Sequence, residues 1–173
     1  MKTDIVLTTL NARYIHTAFG LRYLQANLQE LESHSCIREF TLHQRPLDIA
    51  EQLLALQPRI IGLGVYIWNA EQSLQLVRLL KTLAPEVSLV LGGPEVSFEQ
   101  EQQPICQLAD HVLSGPAEAS FYRLCREILG APVEPLETAP EGRQALEALR
   151  LPYYLYSDED LAQRVLYVEA SRG

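Results

Sequence analysis

Residues 60–94 read IIGLGVYIWNAEQSLQLVRLLKTLAPEVSLVLGGP, and this stretch decides the fold. Ile60-Ile61-Gly62-Leu63-Gly64-Val65 is a short apolar run with β-branched residues, the pattern of a strand buried on both faces. Asn69 stands where a helix N-cap belongs, and Leu74, Val77, Leu80 and Leu83 recur at helical spacing until Pro85 ends the helix. Val87, Leu89, Val90 and Leu91 make a second continuous strand, closed by Gly92-Gly93-Pro94. Strand, crossover helix and strand form a βαβ unit, whose two strands run parallel.

The same alternation extends both ways. Upstream, Ile5-Val6-Leu7 reads as a strand, and Phe19, Leu21, Leu24, Leu28 and Leu31 place an apolar stripe on a helix ending near His34. Ile37, Phe40 and Leu42 predict a short strand, and Pro46 opens a helix through Ile49, Leu53, Leu54 and Leu56 that Pro58 stops. Downstream come a weaker helix over 105–109, a short strand over 111–113 and a final helix over 117–129. The predicted class is α/β: a doubly wound, flavodoxin-like (Rossmann-like) five-stranded parallel sheet flanked by helices. The domain spans residues 1–129. Pro132, Pro135 and Pro140 among acidic residues mark 130–173 as linker, in which Val165-Leu166-Tyr167-Val168 alternates weakly, as a strand opening a further unit does.

Fourteen Lys and Arg against twenty-two Asp and Glu give a net charge of −8, which argues against a sequence-independent nucleic-acid groove. The uncharged run over 60–70 is far short of the roughly 20 residues that cross a bilayer, so no membrane partner is expected. Asp4, Asn11 and Arg13 interrupt any signal-peptide core behind Lys2, which predicts a cytoplasmic chain. Cys36, Cys106 and Cys125 show no C-x-x-C spacing and read as reduced thiols.

In a doubly wound sheet the ligand lies outside the carboxyl ends of the strands. The loops at that edge are 11–19, 42–45, 66–69, 92–97 and 115–118. They hold no G-x-G-x-x-G, no P-loop and no G-x-S-x-G, and no catalytic residue is assigned. Gly64, Gly92, Gly93 and Gly115 end three strands there and would let backbone approach a large ligand, although turn glycines often serve only the turn. A bulky residue at Gly93 is expected to abolish binding and leave the fold intact. His16 could ligate a metal or cap a ligand, or simply be solvated. Tyr14, Tyr66 and Trp68 suit a large flat apolar cofactor as well as loop packing. Glu95 and Glu118 are carboxylates in the same loops, readable as ligand contacts or as helix N-terminal charge.

Four segments in order resemble a known family, the cobalamin (vitamin B12)-binding domain that precedes the catalytic domain of cobalamin-dependent radical S-adenosylmethionine proteins. They are Gly20-Leu21-Arg22-Tyr23-Leu24, Ile61-Gly62-Leu63-Gly64-Val65, Leu91-Gly92-Gly93-Pro94-Glu95 and Gly115-Pro116-Ala117-Glu118. The third is similar to the family's G-G-P segment and the fourth to its G-E-G-E turn. The stretch Asn11-Ala12-Arg13-Tyr14-Ile15-His16 resembles a subgroup of such proteins. Residues 166–173 are similar to the segment preceding the family's C-x-x-x-C-x-x-C motif, whose cysteines this sequence lacks.

The resemblance implies a cobalamin-binding module whose site residues are Asn11, Tyr14, His16, Gly64, Tyr66, Trp68, Gly92, Gly93, Pro94, Glu95, Gly115 and Glu118. It implies a C-terminal radical S-adenosylmethionine domain as partner, cut away here, with S-adenosylmethionine and a [4Fe-4S] cluster in the full-length protein, and methyl transfer or a related radical step as the reaction. The family's D-x-H-x-x-G is altered: His16 has no Asp two residues before it, and Gly20 lies one residue further on. His16 is therefore a weak candidate cobalt ligand, and a base-off cofactor without a protein ligand fits at least as well. The alternative from another class is a flavodoxin-like docking or signalling domain without cofactor. A cofactor domain should have an open apolar mouth at its strand ends, a docking module collapsed loops.

Overall fold

A computed structural model describes residues 3–14, 16–131 and 149–169. Five parallel strands, β1 (Ile5–Asn11), β2 (Ser35–Thr41), β3 (Ile60–Gly64), β4 (Ser88–Gly92) and β5 (His111–Val112), lie in the order β2-β1-β3-β4-β5. That order is the flavodoxin-like one, as expected, and it reverses direction between β1 and β3. The helices are α1 (Phe19–Ala26), α2 (Pro46–Leu54), α3 (Ala70–Leu83), α4 (Pro104–Leu108), α5 (Glu118–Leu129) and α6 (Asp158–Gln163).

Side chains alternate across the pleat, and each sheet face gathers its own core. Val6, Leu10, Ile61, Leu63, Leu89 and Leu91 point to the α2–α3–α4 face, where they meet Ile49, Leu53, Leu76, Val77, Leu80 and Ile105. Ile5, Leu7, Ile60 and Val90 point the other way, to Leu21 of α1 and to Phe121 and Cys125 of α5.

Three local expectations change. The first helix was expected to reach His34 but ends at Ala26, because the Asn27 side chain turns back onto the Tyr23 carbonyl (2.8 Å) and Gln29 takes a positive φ of 51°. A short 3-10 segment, Gln29–His34, carries the chain on. Asn69 does precede α3 but makes no side-chain cap there. Its amide bridges the strand ends instead, donating to the Thr9 hydroxyl (3.2 Å) and the Leu10 carbonyl (3.1 Å) and accepting from the Tyr66 N–H (2.8 Å).

Residues 149–169, which composition assigned to a linker, lie against α1 and β2. Arg22 of α1 and Glu39 of β2 pair with Asp160 and Arg164 of this segment. The extended residue Val165 bridges His16 in parallel. The proline-rich stretch 132–148 and residues 170–173 lie outside the described residues.

Candidate functional site

Register brings one row of side chains together at the carboxyl edge under α1 and α5. Glu39 of β2 is level with Thr9 of β1, Thr9 with Gly64 of β3, and Gly64 with Gly92 of β4. Across the sheet the row reads carboxylate, hydroxyl, no side chain, no side chain. One step toward the amino ends the row is Ile37, Leu7, Gly62 and Val90. Gly62 is compelled by packing, since a Cβ there would lie 2.8 Å from Leu7 and 3.2 Å from the Phe121 ring.

Gly64 and Gly92 are not compelled in that way. A Cβ at Gly64 would meet Thr9 and Tyr66 at 3.5 Å and one at Gly92 the Leu113 carbonyl at 3.7 Å, ordinary van der Waals contacts. The glycine pair thus leaves a cradle that a Cβ would fill. Above it opens a cavity of about 340 Å³, within the range of small-molecule sites. Leu24, Val90, Leu113 and Phe121 wall it, and Gly93, Gly115 and Glu118 rim it. A second cavity of about 430 Å³ adjoins it across Gly20 and Tyr66, and is lined further by Asn11, His16, Phe19, Trp68 and Tyr167. Tyr66 and Trp68 stack with ring centroids 4.6 Å apart. Burial pushes the Tyr66 hydroxyl above its usual range.

Two rim glycines have backbone reasons of their own. Gly93 sits at φ 110° and Gly115 at φ 70°, where side chains are disfavoured. A Cβ at Gly93 would also collide with the Val65 carbonyl oxygen. The expectation that a bulky residue at Gly93 spares the fold is therefore corrected: the position is fixed by the chain's own packing. At Gly115 a Cβ would meet nothing within 4 Å.

Of the residues singled out from sequence, Gly64, Tyr66, Gly92, Gly93, Gly115 and Glu118 line the first cavity and Asn11, His16, Tyr66 and Trp68 the second. Glu118 is 6% exposed and begins α5, where the helix dipole favours a carboxylate. Three residues stand elsewhere. Tyr14 bonds Glu159 (2.7 Å) and lies under the Arg164 guanidinium, while Pro94 and Glu95 form a 3-10 turn whose side chains line neither cavity. Gly20, Gly62, Leu113, Phe121 and Tyr167 were not singled out. Gly62 had a legible signal, since Gly62-x-Gly64 on a strand places both glycines on one face.

The edge is poor in metal-binding chemistry: among the described residues no three His, Cys, Asp or Glu side chains gather to hold an ion. No helix among the described residues is long and apolar enough to cross a membrane. Apolar walls, a side-chain-free floor and stacked aromatics fit a large, mostly apolar organic ligand that needs close backbone approach.

Comparison with known proteins bears on that ligand. No curated protein matches the sequence. A cobalamin-binding protein from Desulfitobacterium hafniense DCB-2 superposes with a TM-score of 0.53 at 19% identity, over 73% of this chain and 59% of that one. This chain thus spans less than two thirds of that structure. A CheY-like protein (tadZ) from Pseudomonas aeruginosa PAO1 superposes with a TM-score of 0.54 at 16% identity, over 78% of this chain and 99% of that one. Both likenesses establish the fold. The B12 binding domain family matches residues 5–124, from the first residue of β1 into α5, and so takes in every residue that frames the first cavity. On that match this chain belongs to the B12-binding domain family.

Proposed function

We propose that the chain is the cobalamin-binding module of a cobalamin-dependent radical S-adenosylmethionine enzyme. The observation that carries the binding half is the registered pair Gly64 and Gly92, which opens a cradle inside the segment matched by the B12-binding family. Gly64, Gly92 and Gly115 would admit the cofactor's nucleotide tail against backbone, with Leu24, Leu113 and Phe121 excluding water from it. Tyr66, Trp68 and His16 would meet the edge of the ring system in the second cavity. Bound cobalamin supplies organocobalt chemistry, methyl transfer or a related radical step; the protein's part is binding and orientation.

The catalytic half rests on the resemblance of residues 166–173 to the segment before an iron–sulfur motif. On this reading a radical domain with S-adenosylmethionine and a [4Fe-4S] cluster would be the module's partner, in the cytoplasm. Three free thiols accord with a reducing compartment; burial pushes that of Cys125 up to about 12. A cofactor-free docking domain shares the fold, but the open apolar strand ends favour a ligand.

Gel filtration after mixing with hydroxocobalamin tests the reading, with an unrelated flavodoxin-like protein as control. Co-elution of the cobalamin visible spectrum with the chain is the expected result. Absence of cobalamin both from this chain and from a longer chain carrying the catalytic domain would overturn it.

A further inference from the structure

Residues 149–169 are tied to α1, β2 and the β1–α1 loop by a buried set of charges. Arg22 reaches Glu39 (2.6 Å) and Asp160 (2.9 Å), and Arg164 reaches the same two carboxylates at 2.6 and 2.9 Å. The four side chains, each no more than 9% exposed, form a closed ring of alternating charge. Arg164 also donates to the carbonyls of Tyr14 (2.9 Å) and His16 (2.6 Å), and the Thr17 hydroxyl donates to the Val165 carbonyl (2.9 Å). Beyond the ring, the Tyr156 hydroxyl donates to the Tyr167 carbonyl (2.8 Å) and accepts from the Tyr167 N–H (3.2 Å). Tyr167 is thereby fixed with its hydroxyl 2.6 Å from Nδ1 of His16, at the wall of the second cavity that both residues line.

The direction of that short hydrogen bond follows from acid–base chemistry. A phenol, with a pKa of about 10, is a far stronger acid than a neutral imidazole N–H, and the bare imidazole nitrogen is a stronger base than a phenol oxygen. The hydroxyl therefore donates to Nδ1, and the imidazole proton resides on Nε2. Histidines that ligate metals show the reverse arrangement, giving their second N–H to a carboxylate, carbonyl or water and keeping a lone pair for the ion. We propose that Tyr167 is a positioning residue that holds neutral His16 in its Nε2–H form, so that His16 offers the second cavity a hydrogen-bond donor rather than a metal-ligating lone pair. Its acceptor is an amide carbonyl oxygen at the periphery of the ligand, the group that cobalamin carries around its ring; that last identification rests on the proposed function.

The tautomer is read without any ligand. In the full chain labelled with 15N-histidine and held well above the ordinary imidazole range of about 6.5, His16 should show a pyridine-like Nδ1 and a pyrrole-like Nε2. Its resonances are assigned by their loss in His16→Ala. In Tyr167→Phe both nitrogens should move toward averaged values while the other histidines stay unchanged. A pyrrole-like Nδ1 in the parent chain, or identical His16 shifts in Tyr167→Phe, overturns the proposal. A second arm uses cob(II)alamin. His16→Ala should weaken its binding about 2–10-fold, the loss of one hydrogen bond, and leave the cobalt(II) resonance signal the same. Disappearance of a nitrogen splitting in His16→Ala overturns the proposal. Failure of the parent chain to bind cobalamin strikes the functional reading and leaves the tautomer result standing.

Discussion

The two faces of this sheet are made by the same strands and come out differently. Toward α2, α3 and α4 the inward residues are Val6, Leu10, Ile61, Leu63, Leu89 and Leu91, and with the buried Thr8 between Val6 and Leu10 they pack the layer to the strand ends. Toward α1 and α5 the inward residues begin as Ile5, Leu7, Ile60 and Val90 and end in the row Glu39, Thr9, Gly64 and Gly92. One face spends every position on packing. The other stops packing one row early and uses that row for a charge ring at one end and a side-chain-free cradle at the other. Because side chains alternate with a period of two, the sheet can hold stability on one face and a site on the other without conflict.

Mutations should separate the faces, and the largest effect is expected at the charged end of the special row. Glu39→Ala leaves two buried guanidiniums with one shared carboxylate and should cost about 3–5 kcal/mol in urea denaturation, with earlier proteolysis of residues 149–169. A loss smaller than about 1 kcal/mol, the range of surface pairs, would show that the ring is not closed in solution. On the packed face, Leu53→Ala removes a fully buried side chain and should cost about 2–5 kcal/mol while cobalamin affinity per folded molecule is retained. Gly93→Ala should cost about 1–3 kcal/mol from its positive φ, apart from its clash with Val65, which makes it a test of the fold and not of the site. Gly64→Ala should change stability by no more than about 1 kcal/mol. Its cobalamin affinity should nonetheless fall at least about tenfold in equilibrium dialysis, a loss of about 1.4 kcal/mol of binding. Equal affinity in Gly64→Ala would break the distinction between the faces.

The packed face was the legible one. Continuous apolar strands between amphipathic helices state their own burial, and Ile60–Pro94 alone required a parallel pair. The cradle was half legible: Gly64 and Gly92 stood out at strand ends, but that they are neighbours follows from β3–β4 register, which no local pattern prints. The charge ring was not legible at all. Arg22 and Asp160 are 138 residues apart in the chain, and Asp160 sits in an acidic run that composition reads as solvated linker.

The ring also gives the two faces different responses to acid, the smallest effect expected near neutral pH. Burial pushes the Asp160 carboxyl up, but the Ser157 N–H and the Arg22 and Arg164 guanidiniums outweigh it and hold the group below its usual range. A carboxylate whose folded value lies below its unfolded one contributes its stability in full above the unfolded value, about 3.9, and loses it as pH falls through the folded value. Residues 149–169 should therefore stay clasped at neutral and mildly acid pH and loosen only below about pH 4. The arginines remain charged throughout, so protonation leaves them facing each other across a neutral Asp160. The layer of leucines under α2 and α3 has no such group, and its hydrogen-exchange protection should outlast that of the segment as pH falls. Asp160→Asn, which removes the titration, should abolish the early acid step and leave the later one in place, whereas simultaneous loss of protection on both faces in the parent chain would mean that the segment is integral to the whole fold.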